Sequence, residues 1–239
     1  MLFFYVRHGD PIYNPDSLTP LGERQAEAVA KRLAMCGIDE IYSSTSKRAI
    51  QTATPTSELV KREIKLLDFA NESYAWQTLT FNAKNPPRET FMFHAEEVQH
   101  AFHTKEIFDL GYEWYTHPLF EGYPYKEGIE RIRKASDEFF ESLGYKHEGY
   151  GRYKIIESNK KRIAMFAHQG FGMAFIPTVL GIPYPLFATH FDFSHSSVTA
   201  ISFDEVEGYA YPRVISLSND SHIYREGLPT NYNNSSIKF

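Results

Sequence analysis

The stretch that decides the fold of this 239-residue chain is Leu2-Phe3-Phe4-Tyr5-Val6, an apolar run that ends in Arg7-His8-Gly9. A continuous apolar run is typical of a strand that is covered on both faces, as in parallel sheets. A second such run, from Arg162 to Ala167, ends in His168-Gln169-Gly170. Because sites in open parallel sheets form outside the carboxyl ends of the strands, both histidines are predicted to lie at one edge of the sheet.

Strand and helix patterns alternate around these runs. Thr19 is a favourable N-cap for a helix that begins at Pro20 and ends at Gly37. A strand is predicted from Ile38 to Ser43, and the helix after it carries Arg48. This alternation predicts an α/β fold, a three-layer α/β/α sandwich with a mostly parallel central sheet.

The alternation of strand and helix patterns stops between residues 73 and 125. Aromatic residues and histidines are dense there, and Asn85-Pro86-Pro87 interrupts any regular element. We interpret this segment as a partly helical, lid-like insertion in a single domain that spans residues 1–239. Two late strands are predicted at 198–203 and 213–217. The polar tail from Ser218 is expected to be loosely ordered.

The composition limits the class of protein. The chain is 42% hydrophobic and 23% charged, with a net charge of -5, which argues against a general binder of nucleic acids or anionic membranes. It contains no apolar stretch of the ~20 residues that span a bilayer and no signal-peptide pattern. A lone cysteine, Cys36, excludes an internal disulfide. We expect a cytoplasmic protein, and the sequence leaves its oligomeric state open.

The residues at the predicted sheet edge suit phosphoryl transfer. Arg7 and Arg48 present planar guanidinium groups that can clamp phosphate oxygens. A neutral His8 imidazole could attack phosphorus, and the neighbouring arginines would disfavour its protonation. His168 could donate a hydrogen bond to the transferred oxygens. The chemistry then needs an acid that protonates the leaving oxygen.

In these residues the chain resembles the histidine phosphatase superfamily, the phosphoglycerate-mutase-like proteins with an RHG motif. The motifs occur in order along most of the chain, and the segment from Ser73 to Tyr125 matches least. The matching residues are Arg7-His8-Gly9, Asn14, Leu18-Thr19-Pro20-Leu21-Gly22 with Gln25-Ala26, Ser43-Ser44 with Arg48-Ala49 and Gln51-Thr52-Ala53, His168 with Gly170, and Asn219-Asp220-Ser221-His222-Ile223.

The resemblance implies a hydrolase that forms a phosphohistidine at His8 and needs no metal and no cofactor. It implies that Arg7, Arg48 and His168 hold the phosphoryl group and that Asn14 contacts the phosphate. The general acid is predicted to be Glu72, with Asp68 as the rival. Gln169, where relatives have glycine or asparagine, is a candidate for substrate binding.

Departures from the mutase pattern favour a phosphatase. The loop between Gly9 and Leu18 is short, Pro11 replaces a small hydroxyl residue, and the segment that grips phosphoglycerate in mutases has no clear counterpart. A phosphoglycerate-mutase-like phosphotransferase and a weakly catalytic protein that binds a phosphorylated ligand remain the alternatives. The expected partner is a small phosphomonoester of open identity, with no nucleic acid and no membrane.

Overall fold

A computed structural model describes residues 1–229 of the chain. The strands are β1 Leu2–Arg7, β2 Pro11–Tyr13, β3 Asp16–Leu18, β4 Glu40–Ser44, β5 Ile64–Leu67, β6 Thr80–Lys84, β7 Pro87–Phe91, β8 Tyr145–His147, β9 Tyr153–Ile155, β10 Arg162–Ala167, β11 Val198–Val206 and β12 Tyr209–Asn219. The α-helices are α1 Pro20–Cys36, α2 Lys47–Val60, α3 Glu72–Leu79, α4 Glu96–Phe102, α5 Lys105–Leu110, α6 Tyr125–Ser142, α7 Gln169–Leu180, α8 Tyr184–Ala188 and α9 Ser221–Arg225. Short 3-10 helices lie at Asp68–Ala70, Met92–His94, Gly111–Thr116 and Pro118–Phe120.

An eight-stranded sheet forms the centre of the molecule, with the order β5-β4-β10-β1-β11-β12-β9-β8. The first four strands in this order are parallel, and β1 pairs with β10 in a register that places Arg7 opposite Ala167. The remaining pairings, from β1–β11 to β9–β8, are antiparallel. The predicted α/β class is therefore confirmed, and the sheet is mixed because its second half is built from consecutive hairpin-like strands.

Side chains of β1 alternate between two hydrophobic cores, as expected for a central strand. Phe3 and Tyr5 face α6 and α7, where Phe140, Phe171 and Phe175 join the larger core. The opposite face of β1 packs against α1 and α2 in a second core, which contains Phe4, Val6, Val29, Leu33 and Ala53. Helices thus cover both faces of the sheet and make it the middle layer of a sandwich.

Local sequence signals explain where the helices begin and end. The Thr19 side chain accepts a hydrogen bond from the Gly22 amide and caps α1, and Gly37 ends that helix with a left-handed backbone. Helix α2 begins one residue after Ser46 and continues through Pro55. No helix within residues 1–229 combines the length and the apolar character that crossing a membrane requires.

The region from 73 to 125 is partly helical, as expected. It contains most of α3, the hairpin β6–β7, α4, α5 and three of the four short 3-10 helices. The expectation of a loose tail from Ser218 is wrong for the described part, since β12 ends at Asn219 and α9 follows it. In α9, Ile223 packs with Ala28 and Leu228 in a small cluster against α1. The rest of the tail lies outside the described residues.

Candidate active site

Three adjacent strands bring the candidate residues to one edge of the sheet. β1 lies beside β10 and β10 beside β4, all parallel, so their carboxyl ends meet. His8 follows β1, His168 follows β10, and Ser44 ends β4. The ring centroids of His8 and His168 are 5.2 Å apart. The structure therefore brings the two histidines together, through the neighbour order of the strands.

The His8 ring is buried and held in one orientation. Its Nδ1 lies 2.7 Å from the Gly9 carbonyl oxygen. Because a carbonyl oxygen only accepts, Nδ1 carries the proton and the lone pair of the neutral ring is on Nε2. Burial lowers the pKa of His8 well below its ordinary value, and His168, Arg7 and Arg48 lower this pKa further. The imidazole is thus neutral at pH 7, as a nucleophile must be.

His168 is fully buried behind Arg48 rather than at the cavity surface. Its Nδ1 accepts a hydrogen bond from the Arg48 Nη2, 3.1 Å away, so its Nε2 carries the proton. That Nε2 donates to the Ser44 Oγ at 2.8 Å, and the Ser46 Oγ lies 3.2 Å away. In this geometry His168 orients the guanidinium of Arg48, and its predicted contact with a phosphoryl group stays a prediction.

Arg7 and Arg48 are buried cations beside the histidine pair. The Arg7 guanidinium donates to the Phe193 carbonyl oxygen, and burial lowers the pKa of Arg7. Arg48 forms an ion pair with Asp16, with 2.8 Å between Nη1 and Oδ1, and its guanidinium lies over the Tyr13 ring. Both cations line the cavity that contains His8, so an anion bound there would be neutralised by two guanidinium groups.

Glu72 lies in this cavity, whereas Asp68 does not line it. The Glu72 carboxylate accepts hydrogen bonds from the Gly170 and Phe171 amides at 2.8 and 3.0 Å, in the first turn of α7. Burial raises the pKa of Glu72, although the two N–H donors and the arginines oppose the shift. Asp68 is exposed and accepts from the Tyr74 hydroxyl instead. Position and environment therefore favour Glu72 over its rival.

The cavity itself has a volume of about 1120 Å³, which is large for a small-molecule site. Four cationic side chains and two carboxylates line it, in a protein whose net charge is -5. A basic cleft in an acidic protein concentrates the electrostatic attraction for anions at one place. The charged lining residues are Arg7, Asp16, Lys47, Arg48, Glu72 and Arg88.

Asn14 and Gln169, the two residues expected to bind substrate, have different positions. Gln169 lines the cavity and donates to Asp192. Asn14 is exposed in the tight turn between β2 and β3 and does not line the cavity, so the structure does not bring it to the site. The turn falls at Asn14 itself, and the flanking Tyr13 and Asp16 face the cavity instead.

His195, whose sequence context favours a wall or loop position over a reactive one, is buried, and its ring centroid lies 5.7 Å from that of His8. Its Nδ1 is 3.4 Å from the Asp10 Oδ1, and burial lowers the pKa of His195 to about 3. The loop that carries it is fixed by the Ser196 amide, which donates to the His8 carbonyl oxygen at 3.0 Å. No motif marks this residue, because long-range backbone pairing is what brings it to the site.

Comparison with known proteins agrees with this arrangement. Residues 3–211 match the family model of the histidine phosphatase superfamily, branch 1. The chain belongs to the histidine phosphatase superfamily. The resemblance read from the motifs is thereby confirmed, and the expectation of a phosphatase-class hydrolase is confirmed at the level of this family.

Several proteins similar to this histidine phosphatase carry the names of phosphatases. The curated protein "Putative phosphoserine phosphatase 2" of Hydrogenobacter thermophilus is 25% identical over 154 residues, which cover 60% of this chain and 67% of that protein. The fold is similar to that of phosphoserine phosphatase from Entamoeba histolytica, with a TM-score of 0.60 and 19% identity over 93% and 98% of the two chains. Alpha-ribazole phosphatase from Shigella flexneri has a TM-score of 0.57 and 18% identity over 92% and 97%.

Proposed function

We propose that this histidine phosphatase hydrolyses small phosphomonoesters through a phosphohistidine on His8. The observation that carries the proposal is a neutral His8 with its lone pair on Nε2, which shares one cavity with Arg7, Arg48 and Glu72. Family membership and the phosphatase names of relatives support the same reaction.

In the first step, the Nε2 of His8 attacks phosphorus and the bond from phosphorus to the leaving oxygen breaks. Arg7 and Arg48 stabilise the charge on the non-bridging oxygens, which is the main requirement of phosphoryl transfer. Glu72 donates a proton to the leaving oxygen, so the alcohol departs neutral. Its raised pKa supports this role, because it keeps a larger fraction of the carboxyl group protonated near neutral pH.

In the second step, water attacks the phosphohistidine, and the bond between phosphorus and Nε2 breaks. The Glu72 carboxylate now accepts the proton of that water, which restores the acid for the next cycle. Inorganic phosphate leaves and the His8 imidazole is neutral again. The cycle uses groups on this chain alone and returns each of them to its starting state.

The decisive experiment follows two products in parallel. The full chain is incubated with a panel of phosphomonoesters, and free phosphate and acid-labile protein-bound phosphate are both measured. We expect both to form with wild type, and H8A to lose the bound phosphate and at least about 1,000-fold in kcat. H103A, which changes an exposed histidine outside the cavity, is the matched control.

Other outcomes would contradict the proposal. Transfer of the phosphoryl group between sugar-acid phosphates without net phosphate release would identify a mutase. Binding of phosphomonoesters without turnover or labelled protein would identify a phospho-ligand-binding protein. Substantial activity of H8A would refute the phosphohistidine mechanism for any of these substrates.

A further inference from the structure

Side-chain exposure divides the cavity into a floor and a mouth. The floor, defined as Arg7, His8, Arg48 and Gln169, is buried and contains the groups proposed to act on the phosphoryl group. The mouth, defined as Tyr13, Lys47, Trp76 and Arg88, is exposed but lines the same cavity. A phosphoryl group on the floor would therefore leave the rest of the substrate against the mouth.

The mouth presents large aromatic surfaces to solvent. Trp76, on α3, is 40% exposed and Tyr13, on β2, is 67% exposed. Trp76 is held edge-on against Phe91, with ring centroids 5.0 Å apart, and Phe91 is stacked on Phe93. Phe91 in turn contacts α7 so closely that a Cβ on Gly170 would lie 2.3 Å from its ring. Trp76 is thus a fixed apolar surface, and exposed aromatic surface beside a site is typical of ligand contact.

The mouth also carries two cations that have no carboxylate partner in the described part of the chain. Among the ion pairs within residues 1–229, neither the Arg88 guanidinium nor the Lys47 ammonium takes part in one. Arg88 lies near enough to the cavity interior that its charge contributes, after burial and Arg7, to a lowered pKa of His94. An unpaired guanidinium at the rim of a basic cavity favours an anionic group on the ligand.

We infer that the substrate's leaving group carries an aromatic ring, which packs on Trp76, and a second anionic group, which pairs with Arg88. This inference rests on the proposed function and specifies its substrate class. The ring removes apolar mouth surface from water, and the second anion pairs with a cation that forms no ion pair within residues 1–229. Small aliphatic esters would occupy the floor and leave the mouth in contact with solvent.

Four substrates with similar leaving-group alcohols separate the two features. They are benzyl phosphate, cyclohexylmethyl phosphate and the 4-carboxy derivative of each, and kcat/KM is measured for all four. Aromatic packing is worth a factor of about 3 to 10 and a charge-assisted hydrogen bond a factor of about 10 to 100. We therefore expect 4-carboxybenzyl phosphate to be the best substrate and cyclohexylmethyl phosphate the poorest.

Variants assign each preference to its residue. R88Q is expected to lower the ratio of kcat/KM between carboxylated and uncarboxylated benzyl phosphate to near one. W76L is expected to lower the ratio between the aromatic and the saturated ring. K84Q is the matched control for Arg88, because Lys84 is an exposed cation on the same hairpin that does not line the cavity, and it should change neither ratio.

Two failures can be told apart. Wild type that hydrolyses all four esters with equal kcat/KM, or R88Q that keeps the carboxylate preference, would overturn this inference and leave the phosphatase proposal standing. Wild type that neither releases phosphate nor forms acid-labile phosphoprotein with any of the four would instead count against the proposed function itself.

Discussion

At the scale of single residues, Glu72 combines a structural and a proposed chemical role. Its carboxylate accepts two amide hydrogen bonds at the N-terminus of α7, which favours the ionised form. Burial favours the neutral form and is the larger influence, so the pKa of Glu72 is raised overall. The same carboxyl group can then hold a proton before the leaving group departs and hold charge afterwards.

Substituting this carboxyl group tests its role as the acid. We expect E72Q to lower kcat/KM for benzyl phosphate by about 100- to 10,000-fold, because the alkoxide leaves unprotonated. The loss should be much smaller for 4-nitrophenyl phosphate, whose phenolate leaves without an acid. D68N, which changes the exposed rival, should stay within about twofold of wild type. An equal loss with both esters in E72Q would show that Glu72 only shapes the site.

What the sequence predicts at this scale depends on whether a residue lies in a motif. His8 and Arg48 lie in motifs and line the cavity, and Glu72, which the sequence predicts only in competition with Asp68, lines it as well. His195 lies in none, because it reaches His8 through a loop fixed by tertiary hydrogen bonds. Asn14 occupies a position that fits a phosphate contact, but it lies exposed in a turn, so that contact stays a prediction.

At the scale of elements, the loop after β1 and the first turn of α1 contact each other backbone to backbone. A Cβ on Gly9 would lie 2.6 Å from the Gly22 carbonyl oxygen, and a Cβ on Gly22 would lie 2.2 Å from the Asp10 carbonyl oxygen. The Thr19 hydroxyl also donates to the Asp10 carboxylate at 2.7 Å. The glycines of the two sequence motifs thus fit one contact, which fixes where His8 leaves the sheet.

Adding one methyl group to this contact should disturb the site. We expect G22A to move the Gly9–Asp10 loop, to lower kcat/KM by about 10-fold or more and to lower the free energy of unfolding by about 1–3 kcal/mol. E27A, an exposed position on the same helix, is the control and should change neither quantity noticeably. Phosphatase assays and urea unfolding measure the two effects. Unchanged activity in a folded G22A would mean that the loop tolerates the displacement.

The sequence predicts elements well where their pattern is long. The apolar runs of β1 and β10 and the capped helix α1 appear in the structure with nearly the expected bounds. The strands β8 and β9 have three residues each, too few for a periodic pattern, so these two strands of the antiparallel half could not be foreseen. In the insertion, aromatic density alone does not separate Trp114, which is core, from Trp76, which lines the cavity.

At the scale of the whole molecule, buried neutral histidines connect stability to pH. Burial lowers the pKa of His195 to about 3 and that of His222 to about 4, and it lowers the pKa values of His8, His94 and His168 as well. An unfolded histidine has a pKa near 6.5, so the unfolded chain binds more protons below that pH. Stability is therefore fully present above pH 6.5 and falls as the pH decreases toward the folded values.

We accordingly expect the free energy of unfolding, measured by urea at fixed ionic strength, to decrease from pH 7 to pH 5. Each such histidine lowers the free energy of unfolding by about 1.4 kcal/mol per pH unit below 6.5. Glu72, whose pKa is raised, acts in the opposite direction. Glu40 and Glu205, whose pKa values lie near 2, stay ionised in this window.

A variant of one buried histidine tests this origin of the pH dependence. H222Q should reduce the slope of the free energy of unfolding against pH by the contribution of one histidine, because His222 is buried outside the cavity. H103Q, which changes an exposed histidine, should leave the slope unchanged. Equal stability at pH 5 and pH 7 would show that the buried rings accept protons without cost, which would also remove the electrostatic argument for a neutral His8.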